Sequence, residues 1–324
     1  MKPFKSFLAL QLKEFIAYRQ SLGYAQRPVR QYLLLFDRYL IESKTTPGLL
    51  TPAFFLELKV NLNMQPTSVN KLLYAVRVFF KFLIRKGHYQ KNPLEDIDPL
   101  PENAFIPFIF SPEQTDQLLD TVCKKIRKTP QFFLKDLGVH LAIVLLARCG
   151  MRISEPLSLL RSHYRRDEAT LYIEKTKFKK DRLIPVPKAA IKEIDNYLAA
   201  REAFFGQSQN PYLLAGIKQR PISQQRVRSI FHQAVEDIGL DCPKQTIANM
   251  TFAHPTPHSL RHAFAVNTLK GIKQRGKSAQ NALPILAAYM GHSEYRHTVK
   301  YLKVLDAEHR QHFADFARSY DENS

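Results

Sequence analysis

The sequence predicts a mainly α-helical protein with a small β-sheet, built as a helical N-terminal domain followed by a second, mostly helical domain. Three observations carry this. Apolar residues recur at helical spacing through most of residues 1–98. A proline-containing, low-charge stretch, Asp98-Pro-Leu-Pro-Glu-Asn-Ala-Phe-Ile-Pro107, then discourages helix and favours an extended connection. Beyond it the period shortens to strand-like alternation only in two brief runs, near residues 170 and 182. We therefore divide the 324 residues into a helical domain (1–98), a linker (99–110) and a second domain (111–324).

Within the first domain, Phe7 to Leu22 is an amphipathic run ended by Gly23. Val29 to Ile41 and Pro52 to Val60 follow, and Thr67 to Arg85 has the clearest pattern. There Val69, Leu72, Leu73, Val76, Phe79, Phe80 and Leu83 share one side, while Asn70, Tyr74, Arg77, Lys81 and Arg85 share the other. An apolar face backing a basic stripe suits a helix laid along a polyanion, although an ordinary solvated face has the same pattern. Asn70, Arg77, Lys81 and Arg85 are accordingly candidate DNA contacts. After the linker, Ser111-Pro-Glu-Gln114 has the form of a capping box with proline at the first helical position. Leu137 to Cys149 reads as an apolar helix stopped by Gly150. Thr170–Glu174 and Arg182–Val186 read as strands joined by the turn Lys175-Thr-Lys-Phe-Lys-Lys-Asp181. Helical patterns return at Ala189–Phe204, at Ser223–Ile238 and through the C-terminal third.

Composition removes several classes of function. The longest apolar run, Leu141 to Ala147, is far short of the ~18–20 residues of a membrane helix, and no secretory apolar region opens the chain. A cytoplasmic protein without membrane attachment is expected. Cys123, Cys149 and Cys242 are scattered, so neither a disulfide framework nor a cysteine zinc site is expected. Charge points to a partner. Lys and Arg total 48 against 29 Asp and Glu, a net +19; residues 1–98 hold 15 against 7, hence +8, leaving +11 for the rest. Both domains are basic, as expected where both touch one nucleic acid.

Neither GxxxxGK[ST], GxGxxG nor GxSxG occurs. His254, His258 and His262 recur every four residues, but Pro255 and Pro257 break the helix that would align them, so no metal site is assigned. Another constellation remains. Arg152 follows the Gly150 helix stop, with Glu155 three residues on. His258 and Arg261 form an HxxR pair on one helical face. Gly291-His292 ends a short helix, and Tyr301 lies nine residues beyond His292.

Arginine, hairpin lysine, HxxR, GH and tyrosine, in this order and spacing, resemble the tyrosine recombinase (phage integrase) family over nearly the whole chain, with the specific motifs inside 147–302. The resemblance implies a helical core-binding domain and a catalytic domain that cleaves and rejoins double-stranded DNA through a 3′-phosphotyrosine intermediate, with no cofactor. Arg152 and Arg261 would clamp the phosphate, Tyr301 would attack, His258 would be the base, and His292 would hydrogen-bond the phosphate or the leaving side. Counting back from Arg182-Leu-Ile-Pro, the family's catalytic lysine falls on Lys177, with Lys175, Lys179 and Lys180 as phosphate contacts. Glu155 would support Arg152. The long stretch between Arg261 and His292 is similar to that of transposon-borne members, which implies integration, excision or transposition of a mobile element. Arg161-Ser-His-Tyr164 stands where the family often has an aspartate. The expected working unit is a homotetramer on paired sites, alone or with sister recombinases. A catalytically silent DNA-binding accessory protein and a type IB-like topoisomerase on the same fold are the alternatives.

Overall fold

The structure, a computed structural model, describes residues 2–174, 181–206, 209–216, 219–247, 249–292, 298–299 and 301–302. It divides into two compact units between Ala104 and Phe105, inside the segment read as a linker. The first unit holds helices α1 (Ala9–Ser21), α2 (Gln26–Glu42), α3 (Pro52–Asn61) and α4 (Pro66–Arg85). The apolar side of α4 is buried against α1 and α2, with Phe79 edge-on to Phe15 at 5.5 Å and Phe80 edge-on to Phe55 at 5.6 Å. Buried Asp37 of α2 ties down the N-terminal segment, accepting from Lys5 N and Ser6 N at 2.9 Å each.

The polar side of α4 is put to a structural use. Arg77 donates from Nε to Leu94 O (3.1 Å) and from Nη2 to Ile97 O (2.6 Å). Asn70 accepts from Leu100 N at 2.7 Å and donates to Leu100 O at 2.9 Å. Both side chains thus satisfy the backbone of the exit segment, which has no secondary structure to do so. Lys81 and Arg85 stay exposed, Arg85 with a long 3.5 Å contact to the Tyr18 hydroxyl.

In the second unit, α5 (Pro112–Lys124) opens with the capping box: Gln114 N donates to Ser111 Oγ (3.1 Å) and Ser111 N donates to Gln114 Oε1 (2.9 Å). Next comes α6 (Pro130–Arg148), which starts earlier than its apolar run because Pro130 supplies a helix start. By length and composition α6 could cross a membrane, yet most of it is buried, and it packs against α5, α8 (Lys188–Phe205), α9 (Gln224–Asp237) and α10 (Pro257–Gln274). It is the core helix of the unit. The short α7 (Ser154–Ser158) follows, and His163 Nδ1 then accepts from Leu160 N at 3.2 Å, capping the next turn.

Two three-stranded sheets complete the described residues. In one, β2 (Tyr164–Arg165), β3 (Thr170–Ile173) and β4 (Arg182–Pro185) are antiparallel, with Leu171 opposite Ile184 and Ile173 opposite Arg182. In the other, β1 (Ala104–Ile106) and β5 (Gln245–Ile247) flank β6 (Met250–Phe252). This second sheet has no sequence signal: its strands are three residues long, and all of β5 is exposed, so no alternation marks them. The last elements among the described residues are α11 (Ala279–Met290) and the helical residues 298–299 and 301–302.

Gly150 joins α6 to the turn that carries Arg152. It has φ +57°, and a Cβ there would lie 2.4 Å from the Phe264 ring. Gly150→Ala should therefore lose roughly 2–4 kcal/mol, from the left-handed backbone and the overpacking together, read as a lower midpoint in urea unfolding.

Candidate active site

Three arginines from distant parts of the chain meet at the C-terminus of α11. The last carbonyls of a helix lack intrahelical donors and carry the negative end of its dipole. Here Tyr289 O accepts from Arg182 Nε (2.8 Å), Met290 O from Arg261 Nη2, and Gly291 O from Arg152 Nη2 (2.9 Å). Gly291 allows this by ending α11 in the left-handed conformation, φ +62°; a Cβ there would sit 3.0 Å from Arg182 Nη1. Arg261 also donates to Gly150 O at 2.7 Å and is 1% exposed.

Glu155 ties two of these arginines together. It lies in the first turn of α7, so its carboxylate reaches back to Arg152, accepting from its N (2.8 Å) and its Nη1 (2.9 Å). Arg182 forks onto the same carboxylate at 3.1 and 2.9 Å. Burial opposes ionisation of Glu155, but the Arg182 hydrogen bonds and charge, the Arg152 N–H and the Arg261 charge together hold its carboxyl below the usual range. Desolvation, then repulsion from Arg152, lowers Arg261 to about 9, still a cation at neutral pH.

The other side of the site is made of imidazoles and a phenol. Pro257 starts α10, and Thr256 N donates to Ser259 Oγ at 3.0 Å, fixing the first turn that carries His258. His258 keeps an exposed edge, while desolvation and the charges of Arg261 and Arg152 push it down to about 4. One turn on, the His262 ring meets His258 edge-on at 4.6 Å, and its Nδ1 lies 3.1 Å from the Tyr301 hydroxyl. Tyr301 is 4% exposed; burial raises its pKa, and the Arg261 and Arg152 charges pull against that rise. His292 stacks on Tyr301 with ring centroids 6.3 Å apart, and its Nδ1 lies 2.8 Å from Thr298 Oγ1. Tyr289, the other described tyrosine nearby, stacks on Phe264 and turns its hydroxyl to Pro185 O.

The geometry brings together Arg152, Glu155, His258, Arg261, His292 and Tyr301. Lys175, Lys177, Lys179 and Lys180 lie outside the described residues. Asn70, Arg77, Lys81 and Arg85 belong to the first unit. Two site residues were not singled out from the sequence for this chemistry. Arg182 reads there only as a strand start, and His262 enters only in the rejected metal pattern, although it neighbours Arg261 directly.

A family model for the phage integrase family matches residues 109–308. The chain belongs to that family. It is 30% identical over 302 residues to the putative integrase/recombinase y4rE of Sinorhizobium fredii (strain NBRC 101917 / NGR234), covering 93% of each chain. Over 243 residues it is 28% identical to the tyrosine recombinase XerD of Brucella suis biovar 1 (strain 1330), covering 74% of this chain and 73% of XerD. Among solved structures, a lambda integrase tetramer bound to a Holliday junction shares the fold, with a TM-score of 0.63 and 15% identity over 89% of this chain and 77% of that one. The protein is a site-specific DNA recombinase of the tyrosine type, and the alternatives of a silent accessory protein or a topoisomerase are not favoured.

Because the Glu155 carboxyl is depressed in the folded state, its contribution to stability is present above the ordinary carboxylate range and is lost as pH falls through the folded value. Glu155→Gln should lose about 3 kcal/mol at pH 7, by breaking a buried ion pair, and the difference from wild type should narrow on acidification. Urea unfolding at several pH values checks both.

Proposed function

We propose that Tyr301 attacks a backbone phosphorus of double-stranded DNA while Arg152 and Arg261 bind its non-bridging oxygens. The new O–P bond replaces the bond to the 5′-oxygen, leaving a 3′-phosphotyrosine, and attack by a 5′-hydroxyl reverses the step on the same or a partner strand. Lys177 would protonate the departing 5′-oxygen. His258 would be the base, and His292, set beside the phenol, would hydrogen-bond the phosphate or the leaving side. The observation that carries this reading is the meeting of Arg152 and Arg261 on adjacent carbonyls, with the Tyr301 hydroxyl beside the same turn of α10. Guanidiniums anchored in this way need little reorganisation when charge develops on the phosphate, and losing one such donor typically costs ~10²–10³ in rate.

The basic first unit would close on the same duplex, with the exposed Lys81 and Arg85 on phosphates. Asn70 and Arg77, spent on the exit segment, would support that face. The lysine-rich stretch with Lys175, Lys179 and Lys180 would add phosphate contacts. Four copies on two DNA sites, alone or with sister recombinases, would be the working unit, in line with the tetramer of lambda integrase on a Holliday junction. The long stretch between Arg261 and His292 supports service to a mobile element.

A duplex selected from a random-sequence pool by binding to Tyr301→Phe, then nicked beside the bound centre, should trap a covalent adduct with wild type and none with Tyr301→Phe. An adduct on that variant would move the nucleophile elsewhere. Given two such duplexes of different length, the enzyme should join one to the other; relaxation of supercoils without joining would favour a topoisomerase. Binding should also fall steeply with salt, log K dropping by about 0.9 per phosphate contact for each log unit of salt. A flat salt response contradicts a phosphate clamp.

A further inference from the structure

We infer that Arg182 is a positioning residue: it occupies the Glu155 carboxylate from the β4 side and so keeps Arg152 available to the phosphate. The inference rests on Arg152 being one arm of the proposed phosphate clamp, and it says what keeps that arm from being captured by its own neighbour.

The division of bonds is the first reason. Arg182 is spent on the protein: Nε donates to Tyr289 O at 2.8 Å, and Nη1 and Nη2 fork onto Glu155 Oε1 and Oε2 at 3.1 and 2.9 Å. Its side chain is 10% exposed, half the 21% of Arg152. Arg152 gives Glu155 a single guanidinium bond, Nη1 to Oε1 at 2.9 Å, and one more goes from Nη2 to Gly291 O. The rest of its five N–H donors have no partner among the described residues. One guanidinium is thus used up inside the site while the other keeps donors for a ligand.

Competition for the carboxylate is the second reason. A guanidinium and a carboxylate pair most strongly as a two-pronged fork, and Arg182 holds that place. With Arg152 N at 2.8 Å and Arg152 Nη1, its fork fills the lone-pair sites of Glu155. Arg152 and Glu155 are three residues apart at the start of α7, so a carboxylate released by Arg182 would close on Arg152 as a fork instead. That pairing would neutralise Arg152 and draw its donors off the phosphate. The fold also makes room for Arg182. Its guanidinium lies against the left-handed turn at Gly291, where a Cβ would sit 3.0 Å from Nη1 and 3.2 Å from Cζ. Of the groups that hold the Glu155 carboxyl below the usual range, Arg182 contributes most.

The test is single-turnover cleavage of the nicked duplex selected with Tyr301→Phe, using the full chain below the lowest melting temperature of the set. Arg182→Gln should cleave about 10²-fold more slowly, the usual cost of losing one preorganised donor, because Arg152 is captured. Adding Glu155→Gln to that variant should raise the rate again by about tenfold, since the captor is gone. A residue that only supports the fold would make the double variant slower still. In an Arg152→Ala background, Arg182→Gln should cost less than about threefold, having no guanidinium left to act through. Should Arg182→Gln fail to fold, Arg182→Lys carries the same comparisons, because an ammonium cannot fork onto both oxygens. Wild-type cleavage by Arg182→Gln, additive losses from Arg182→Gln and Glu155→Gln, or an undiminished loss in the Arg152→Ala background overturn the assignment. Wild-type cleavage by Arg152→Ala overturns the phosphate clamp itself, a separate result.

Discussion

The site depends on one arrangement: three guanidiniums gathered on the last carbonyls of α11, two of them also held by a single buried carboxylate. Bringing three cations this close is unfavourable by itself. Glu155 supplies one full negative charge and the helix terminus about half of one more. Compensation is therefore incomplete, and about one and a half positive charges remain where a phosphodiester would carry one negative charge. The same hydrogen bonds that make the cluster stable hold Arg152 and Arg261 in fixed orientations. Stability and anion affinity thus come from the same residues, and α6, α7, α10, α11 and β4 pack so as to deliver them to one point.

Beside that cation cluster the chain keeps His258 and Tyr301 neutral. His258 stays uncharged because partial desolvation and two guanidiniums both disfavour its cation. Tyr301 stays protonated because burial outweighs the pull of the same guanidiniums. The result is a division across the first two turns of α10, with fixed positive charge on one side and a phenol–imidazole contact on the other. On the proposed reading the guanidiniums hold the non-bridging oxygens while the phenol approaches opposite the leaving 5′-oxygen, the layout an in-line displacement requires. Gly150 and Gly291 make the close approaches possible, one through its carbonyl to Arg261 and one through its left-handed turn under Arg182.

Much of this was legible beforehand where local patterns are strong. The four helices of the first unit, the Ser111 capping box and the β3–β4 pair announce themselves by periodicity and turn chemistry, and the Arg152, HxxR, Gly-His and Tyr301 spacing locates the site. The features that escaped are set by tertiary contact. The strands β1, β5 and β6 are too short to alternate, and α6 extends past its apolar run because Pro130 starts it. Asn70 and Arg77 resemble solvent-facing residues, since helical spacing cannot reveal that an exit segment folds back onto them. Arg182 looks like any polar strand residue until β4 is laid beside α7 and the end of α11. His262 carries no spacing signal of its own; the approach of Tyr301 from far along the chain gives it the phenol as a partner.

The central claim is that the guanidiniums are held before DNA arrives, and their rotation in the free enzyme measures it most directly. Arginine side-chain NMR on the full chain, assigned through single substitutions, should show Arg152, Arg182 and Arg261 with slow rotation about Cζ–Nε and resolved Nη signals, unlike exposed arginines such as Arg85. Fast, averaged signals from Arg152 and Arg261, becoming restrained only when duplex is added, would contradict the account.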